Sequence, residues 1–542
     1  MNKRLSIIIL IFLTSFPLFS QGIINDINNF TRQDTLRGSI TKERIWWDLT
    51  YYHLDISVDP INRTIKGSNE ISYTVLEPYS EIQIDLQNPL VLTKAEQDDE
   101  NLEIRHDGNA HFIKLKKKQI RGAKNKIKVF YEGKPKTAVR APWDGGISWT
   151  KDKNGNHFIA SSCQGLGASV WWPNKDHMYD EVDSMKISVN VPKQLMNISN
   201  GRLESIEKQD NETTTYHWVV TNPINNYGVN INIGDYVHFS EVYEGENGPL
   251  DMDYYVLRDH LVKAKEQFKD APKMMKAFEH WFGPYPFYED SFKLVEVPYL
   301  GMEHQSSVTY GNQFKQGYLG RDLSRTGWGL KFDFIIIHES GHEWFANNIT
   351  YKDAADMWIH EGFTAYSENI FLDYHYGTEA SADYVIGTRR NIQNDTPIIG
   401  TYNVNSEGSS DMYYKGANML HTLRQLIKDD EKWRQLLRGL NKTFYHQTVT
   451  TKDIEDYVST FSGLNLTAFF NQYLRDIRIP TLEYSIQKNK LSYQWTNVVE
   501  SFEMPIEIEV NGKTQWLYPT TVLQKTKIDA SEISIDRDYY ID

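Results

Sequence analysis

Two histidines four positions apart, with a glutamate between them, close an apolar segment. Phe332, Phe334, Ile335, Ile336 and Ile337 lead into His338-Glu339-Ser340-Gly341-His342. On a helix, positions four apart project from one face, one turn apart. The two imidazoles can then grip a single metal ion, and the glutamate between them is placed to act on a water at that ion. The apolar run predicts that this helix is buried. After a gap of eighteen residues from His342 comes Glu361, within Trp358-Ile359-His360-Glu361-Gly362-Phe363, which reads as a second buried helix. Buried glutamate is rare unless it is paired or binds a metal. A carboxylate from this second helix completes a two-histidine, one-glutamate site with one open position, the catalytic rather than the structural kind of zinc site. Glu368 follows seven after Glu361, close to two turns on and so on the same face. A chance copy of the histidine string would be a surface turn or a pair of satisfied histidines, and neither calls for the second helix and its acids. Non-haem iron also uses two histidines and a carboxylate, but the glutamate between the histidines favours zinc, one ion per chain.

A chain of 542 residues has room for three or four domains and a large core. Its hydrophobic content of 40% and charged content of 24% are those of a globular protein. The start reads as a secretory signal: Lys3 and Arg4, an apolar stretch from Leu5 to Leu13, and a plausible cleavage point at Ser20-Gln21. Export to the periplasm or beyond is therefore expected, with no membrane span after cleavage, since no other stretch is long and apolar enough. Removing Lys3 and Arg4 makes a formal charge of −14 still more negative. That balance argues against nucleic acid and anionic membrane as partners. Cys163 is the only cysteine, so no intrachain disulfide can form and stability must come from the core.

Residues from about 44 to 243 alternate in strand fashion, as in His53-Leu54-Asp55-Ile56-Ser57-Val58 and at Ile127, Val129 and Tyr131, with turn clusters between the runs. This predicts a largely antiparallel β domain. From Leu257 to Phe282 the spacing is helical, ended by Gly283-Pro284. A strand at Phe292–Val297 follows, and then mostly helices to about 478, among them Tyr414–Ile427 and Ile454–Phe461. After Ile479-Pro480 strands return, with Ile506, Ile508 and Val510 leading into Asn511-Gly512, a strong hairpin signal. The expected division is a signal at 1–20, an extension at 21–43, a β domain at 44–244, a catalytic domain at 245–479 and a small β-sandwich module at 480–542.

Two further motifs gain meaning beside a metal. Gly301-Met302-Glu303-His304-Gln305 follows the 292–297 strand, and a fixed carboxylate there can pair with a substrate ammonium. Tyr413-Tyr414-Lys415-Gly416 precedes a helix, and a phenol could donate to the oxyanion that peptide hydrolysis creates.

With these residues in hand, the chain resembles the aminopeptidase N and leukotriene hydrolase family of zinc metallopeptidases, the gluzincins, from about residue 44 to 540. His338, Glu339, His342 and Glu361 match its zinc and catalytic motif, including the eighteen-residue gap. The resemblance implies that Gly301, Met302 and Glu303 form the loop that recognises a free α-amino group. It implies that Tyr413 stabilises the intermediate, that Glu368 supports a ligand from behind, and that Gln164 lines the first substrate pocket. His304 and His360 stand where the family usually has asparagine. Each is read as a packing or hydrogen-bonding residue, not a ligand. The implied architecture is multidomain α+β: an N-terminal antiparallel β domain, a thermolysin-like, mostly helical catalytic domain and a small C-terminal β-sandwich module, without the long helical domain that ends many relatives. The implied activity is zinc-dependent removal of the N-terminal residue from peptides with a free N-terminus, with Glu339 as general base. The rivals are an endopeptidase, which Glu303 disfavours by blocking an internal chain, an epoxide hydrolase like one branch of the family, and a non-enzymatic binding protein.

Overall fold

In a computed structural model, residues 29–542 apart from Asn211 are described; the charged start, apolar stretch and cleavage point of the expected signal lie outside them. The alternating segments pair into an eight-stranded sheet. In spatial order it runs Arg202–Lys208, Thr213–Val220, Ser184–Pro192, Trp47–Asp59, Thr64–Val75, Lys124–Gly133, Val91–Gln97 and Glu100–Asn101. Its pairings are antiparallel except one: Trp47–Asp59 lies parallel to Ser184–Pro192, with Tyr51 opposite Ser184. Alternation reports which face of a strand is buried but not which neighbour it takes. A four-stranded and a three-stranded sheet complete this domain. Its core gathers Trp47, Tyr52, Ile71, Trp171, Trp172 and Trp218, all buried.

Between this domain and the helices lies a mixed five-stranded sheet, ordered Tyr236–Gly245, Gly248–Leu257, Phe292–Glu296, Val308–Tyr310 and Gly301–Met302. Gly301–Met302 is the last strand of this sheet, so one of its edges has no strand partner among the described residues. One set of its residues, including Val295, Val297, Tyr299 and Met302, joins the β-domain core, whereas Leu294, Val308 and Tyr310 join the helical core. That alternation on single strands locks the two domains across the sheet.

The helical spacing expected over 257–282 appears as two helices, Leu261–Gln267 and Asp270–Phe282, separated at Phe268 and Lys269. The later helices include Phe334–Gly341, Trp358–Tyr376, Tyr414–Ile427, Asp430–Thr443 and Thr451–Ser462. The C-terminal module is two three-stranded sheets. Asn511 and Gly512 both take positive φ (51° and 75°), the conformation a two-residue hairpin turn demands. Trp495, Phe502 and Ile506 of the module share the core of the helical domain. The chain end closes back on that domain, with Tyr473 Oη donating to the Tyr540 carbonyl (2.7 Å). Among the described residues no helix is long and apolar enough to cross a membrane.

Candidate metal centre

Asp333 starts the first helix of the site by accepting from the amides of Ile335 (3.0 Å) and Ile336 (3.3 Å). An aspartate there satisfies donors that a helix start leaves open. The helix, Phe334–Gly341, is buried along its whole length. His342 ends it, because Phe345 and Ala346 leave helical geometry and a distorted turn follows. This break turns the Phe345 carbonyl back toward His342, whose Nδ1 lies 3.1 Å from it and 3.0 Å from Thr364 Oγ1. His338 Nδ1 lies 2.8 Å from Glu368 Oε1, and Glu368 Oε2 accepts from Tyr384 Oη at 2.5 Å. Both imidazoles are thus held through Nδ1, which leaves each Nε2 lone pair free for a metal.

The two Nε2 atoms point at one carboxylate oxygen. Glu361 Oε2 lies 3.6 Å from His338 Nε2 and 3.4 Å from His342 Nε2. It is buried and, among the described residues, has no hydrogen-bond donor, whereas Oε1 accepts from Gln164 Nε2 at 2.8 Å. Three donors at 2.0–2.1 Å from a tetrahedral zinc stand about 3.3–3.4 Å from one another. The two distances match the edges of such a shell, and the orphaned oxygen is a lone pair directed at its centre. A second trio, Glu303, Glu339 and His342, also brings its donor atoms within 4.8 Å of one another. It would leave His338 Nε2 and Glu361 Oε2 unused, so the residues present fit a divalent ion best at His338, His342 and Glu361. Burial alone would keep Glu361 protonated, but His342 and His338 pull its carboxyl far below the ordinary range. A negative ligand is thereby favoured.

Glu339 lies on the same helix, between the histidines. Burial pushes its carboxyl up to about 7, with the charges of Glu303 and Glu361 adding and the two imidazoles opposing. Glu303 is 2% exposed, and burial likewise raises its carboxyl. Gln164 spans the gap between domains: its one amide nitrogen reaches Glu303 Oε1 (2.6 Å) as well as Glu361 Oε1. Asn347 Nδ2 holds the Glu303 carbonyl at 3.0 Å. Two buried carboxylates this close repel one another and favour a cation between them. Gly301 is where the loop must come close, since a Cβ on it would lie 2.6 Å from Ile335 Cγ2 and 3.2 Å from Glu339 Cγ. Met302 is 1% exposed and packs into the β-domain core, so it anchors the loop from behind.

Tyr413 immediately precedes the helix Tyr414–Ile427, and its ring lies over that of His338 (centroids 6.0 Å, 24° between planes). Burial, then the charges of Glu361, Glu303 and Glu407, hold its phenol protonated and able to donate. The glycine three residues on has a steric reason. Gly416 faces Gly362, and a Cβ on Gly416 would lie 3.0 Å from the Gly362 Cα. The helix behind Tyr413 and the helix carrying Glu361 therefore cross backbone to backbone.

His304 and His360 are not ligands of either trio. Burial drives His304 down to about 3, and its Nδ1 lies 3.3 Å from Thr309 Oγ1. His360 Nε2 accepts from the Tyr351 amide (2.9 Å), and its ring stacks on Tyr351 at 4.1 Å. Sequence reasoning did not single out Thr364, Tyr384, Tyr227 or Glu407. Thr364 carries a faint helical signal, three after Glu361 on the same helix, whereas Tyr384 lies on the next helix, Thr378–Thr388, and its spacing from Glu368 carries none. Tyr227, whose Oη lies 3.3 Å from His360 Nδ1, and Glu407 carry none.

The Peptidase family M1 domain matches residues 266–473 and the Peptidase M1 N-terminal domain matches 49–227. "Probable aminopeptidase 1" of Sulfurisphaera tokodaii is 22% identical over 409 residues, 70% of this chain and 50% of that protein. "Leukotriene A-4 hydrolase" of Xenopus laevis is 24% identical over 349 residues, 60% of this chain and 54% of that protein. The chain spans about half the length of these curated relatives. Among solved structures, an M1 zinc metallopeptidase from Deinococcus radiodurans superposes with a TM-score of 0.65 at 19% identity, covering 77% of this chain and 91% of that one. A mutant of the Deinococcus enzyme bound to a Tyr-Ser-Ala substrate gives 0.66, also at 19%. These likenesses establish the shared fold.

Proposed function

The chain belongs to peptidase family M1, and on that premise we propose that it is a zinc-dependent aminopeptidase that removes the first residue of peptides with a free N-terminus. One observation carries the reading. His338 Nε2, His342 Nε2 and a Glu361 oxygen unpartnered among the described residues converge beside Glu339 and Glu303, all of them buried. His338, His342 and Glu361 would hold the zinc. When bound, zinc supplies Lewis acidity, which polarises the scissile carbonyl and makes water a stronger acid.

The remaining work falls to side chains. Glu339, with its carboxyl near neutrality, takes the proton of the attacking water and passes it to the leaving amine nitrogen. Tyr413 donates to the carbonyl oxygen as negative charge builds there. Glu303, steadied by Gln164, pairs with the substrate ammonium and fixes the distance from the free N-terminus to the bond that is cut. Glu368 and Tyr384 keep the His338 proton on Nδ1.

The test is turnover of a panel of aminoacyl fluorogenic amides with and without a chelator, alongside matched free and N-acetylated peptides. Chelation should abolish activity, zinc should restore it, and acetylation should block cleavage. Equal cleavage of the free and acetylated forms would defeat the exopeptidase reading. We further propose that the protein is exported to the periplasm or beyond, on the strength of Lys3, Arg4 and the apolar run to Leu13. The N-terminal sequence of protein recovered from cell fractions tests this: retention in the cytoplasm with Met1 intact would overturn it.

A further inference from the structure

A cavity of about 500 Å³ opens beside the candidate site, at the seam between the β domain and the mixed sheet. One wall is the chain 296–300, which leads directly into Gly301-Met302-Glu303, backed by Tyr310 and Phe314. The facing wall is Ala141 and Trp143 of the β domain. The Trp143 side chain is 69% exposed. Its loop is nonetheless braced. The Asp144 carboxylate accepts from the amides of Val139 (2.7 Å) and Arg140 (2.9 Å), and Gly145 packs close on Leu166, two residues beyond Gln164. A rigidly presented, solvent-facing indole over an apolar hollow is a contact surface in search of a partner.

The chain that lines the hollow leads to the candidate site. Tyr299 Oη donates to the Ser161 carbonyl (2.7 Å), and Gln164 donates to Glu303 (2.6 Å). Segments 161–164 and 299–303 thus run side by side from the hollow to the carboxylate proposed to hold the substrate ammonium. Gly301–Met302 is also an edge strand, with no strand on its outer side among the described residues. A peptide whose amine is fixed at Glu303 and which follows this edge must run opposite to the chain, as antiparallel strands do. The edge ends at Gly301, where residues 298–300 bend across the end of the sheet; at about 3.3–3.4 Å per residue the first two residues of the peptide lie along Met302 and Gly301, and its third to fifth pass that end, which the hollow lines.

The lining also limits what fits. His260 Nδ1 and Glu296 Oε1 satisfy each other at 2.6 Å, and Glu296 Oε2 accepts from the Leu257 amide at 2.8 Å. Lys263 is the one charged lining residue without an ion pair among the described residues. We infer that this hollow is a subsite for the third to fifth residues of a peptide substrate, that it selects aromatic or large aliphatic side chains through Trp143, and that it disfavours cationic ones. The inference rests on the aminopeptidase reading and extends it from the bond that is cut to the sequence downstream.

The experiment uses the zinc-loaded enzyme. Specificity constants are measured for Leu-Ala-Ala-Ala-Ala, for versions carrying Phe or Lys at the third, fourth or fifth position, and for a single-residue leucyl fluorogenic amide. The wild-type protein should favour Phe over Ala at one or more of these positions by roughly tenfold and place Lys below Ala. Trp143→Ala should erase the Phe preference, and Trp143→Phe should keep part of it. Turnover of the leucyl amide with no Phe advantage at any of the three positions overturns the subsite and leaves the aminopeptidase reading standing. A Phe advantage that survives in Trp143→Ala also overturns the role of the indole. No turnover of the leucyl amide or of any peptide sinks the aminopeptidase reading, and the subsite with it.

Discussion

Glu368→Gln separates the charge behind His338 from its shape. The carboxylate is 1% exposed and makes two short contacts, 2.8 Å to His338 Nδ1 and 2.5 Å from Tyr384 Oη. Glutamine keeps the length and one acceptor oxygen but removes the negative charge that makes the imidazole the better donor to a metal. Loss of such a supporting carboxylate typically weakens metal binding by about 10–100-fold, or roughly 1.4–2.7 kcal/mol. The zinc dissociation constant of Glu368→Gln should therefore rise by one to two orders of magnitude in competition with a fluorescent chelator. Tyr384→Phe removes one hydrogen bond and leaves the charge, so its effect should fall below about tenfold. If Glu368→Gln binds zinc within about twofold of the wild-type protein, the carboxylate does not tune His338, and the reasoning from Nδ1 contacts to metal affinity fails.

Glu339→Gln should keep its zinc and its melting temperature while turnover falls by about 10²–10⁴; metal analysis beside steady-state kinetics checks this, and near-normal activity would refute the general-base role. Tyr413→Phe should lower kcat by about 10²–10³ with little change in KM, and an effect confined to KM would point to ground-state binding instead. Glu303→Gln should penalise free peptides and narrow their advantage over N-acetylated ones, read as the ratio of specificity constants; an unchanged ratio would remove Glu303 from amine recognition. Gly416→Ala should push Tyr413 and Glu361 apart, because its Cβ meets backbone at 3.0 Å. The expected result is a loss of about 1–3 kcal/mol in denaturant unfolding together with reduced kcat, and a variant as stable and active as the parent would show that the helices can separate without cost.

Much of the site is legible in the sequence because helices repeat at short range. His338, Glu339 and His342 lie within a single helical turn, and the apolar residues before them report burial. Glu361 and Glu368 are two turns apart on one helix, so their common face follows from spacing. Glu303, Tyr413 and Gln164 are different. They lie on loops or at a helix start, and nothing periodic ties them to the metal helix. Their nearness came from family resemblance, and the contact from Gln164 to Glu361 spans 197 positions. The turn of the Phe345 carbonyl onto His342 was not legible at all, since it depends on a backbone break that no residue pattern marks. In the β domain, alternation showed which residues face inward but not that Trp47–Asp59 lies parallel to Ser184–Pro192. The pairing of Asn511 and Gly512 in a hairpin was legible, because few residues tolerate positive φ twice in succession.

The position of the metal itself decides most directly between the two trios that share His342. Crystals soaked in zinc and measured at the zinc absorption edge give that position without reference to activity. One anomalous peak per chain is predicted, about 2.0–2.2 Å from His338 Nε2, His342 Nε2 and Glu361 Oε2. A peak bound instead by Glu303, Glu339 and His342, or none at either trio, would contradict the assignment of the ligands and of Glu339 as the base.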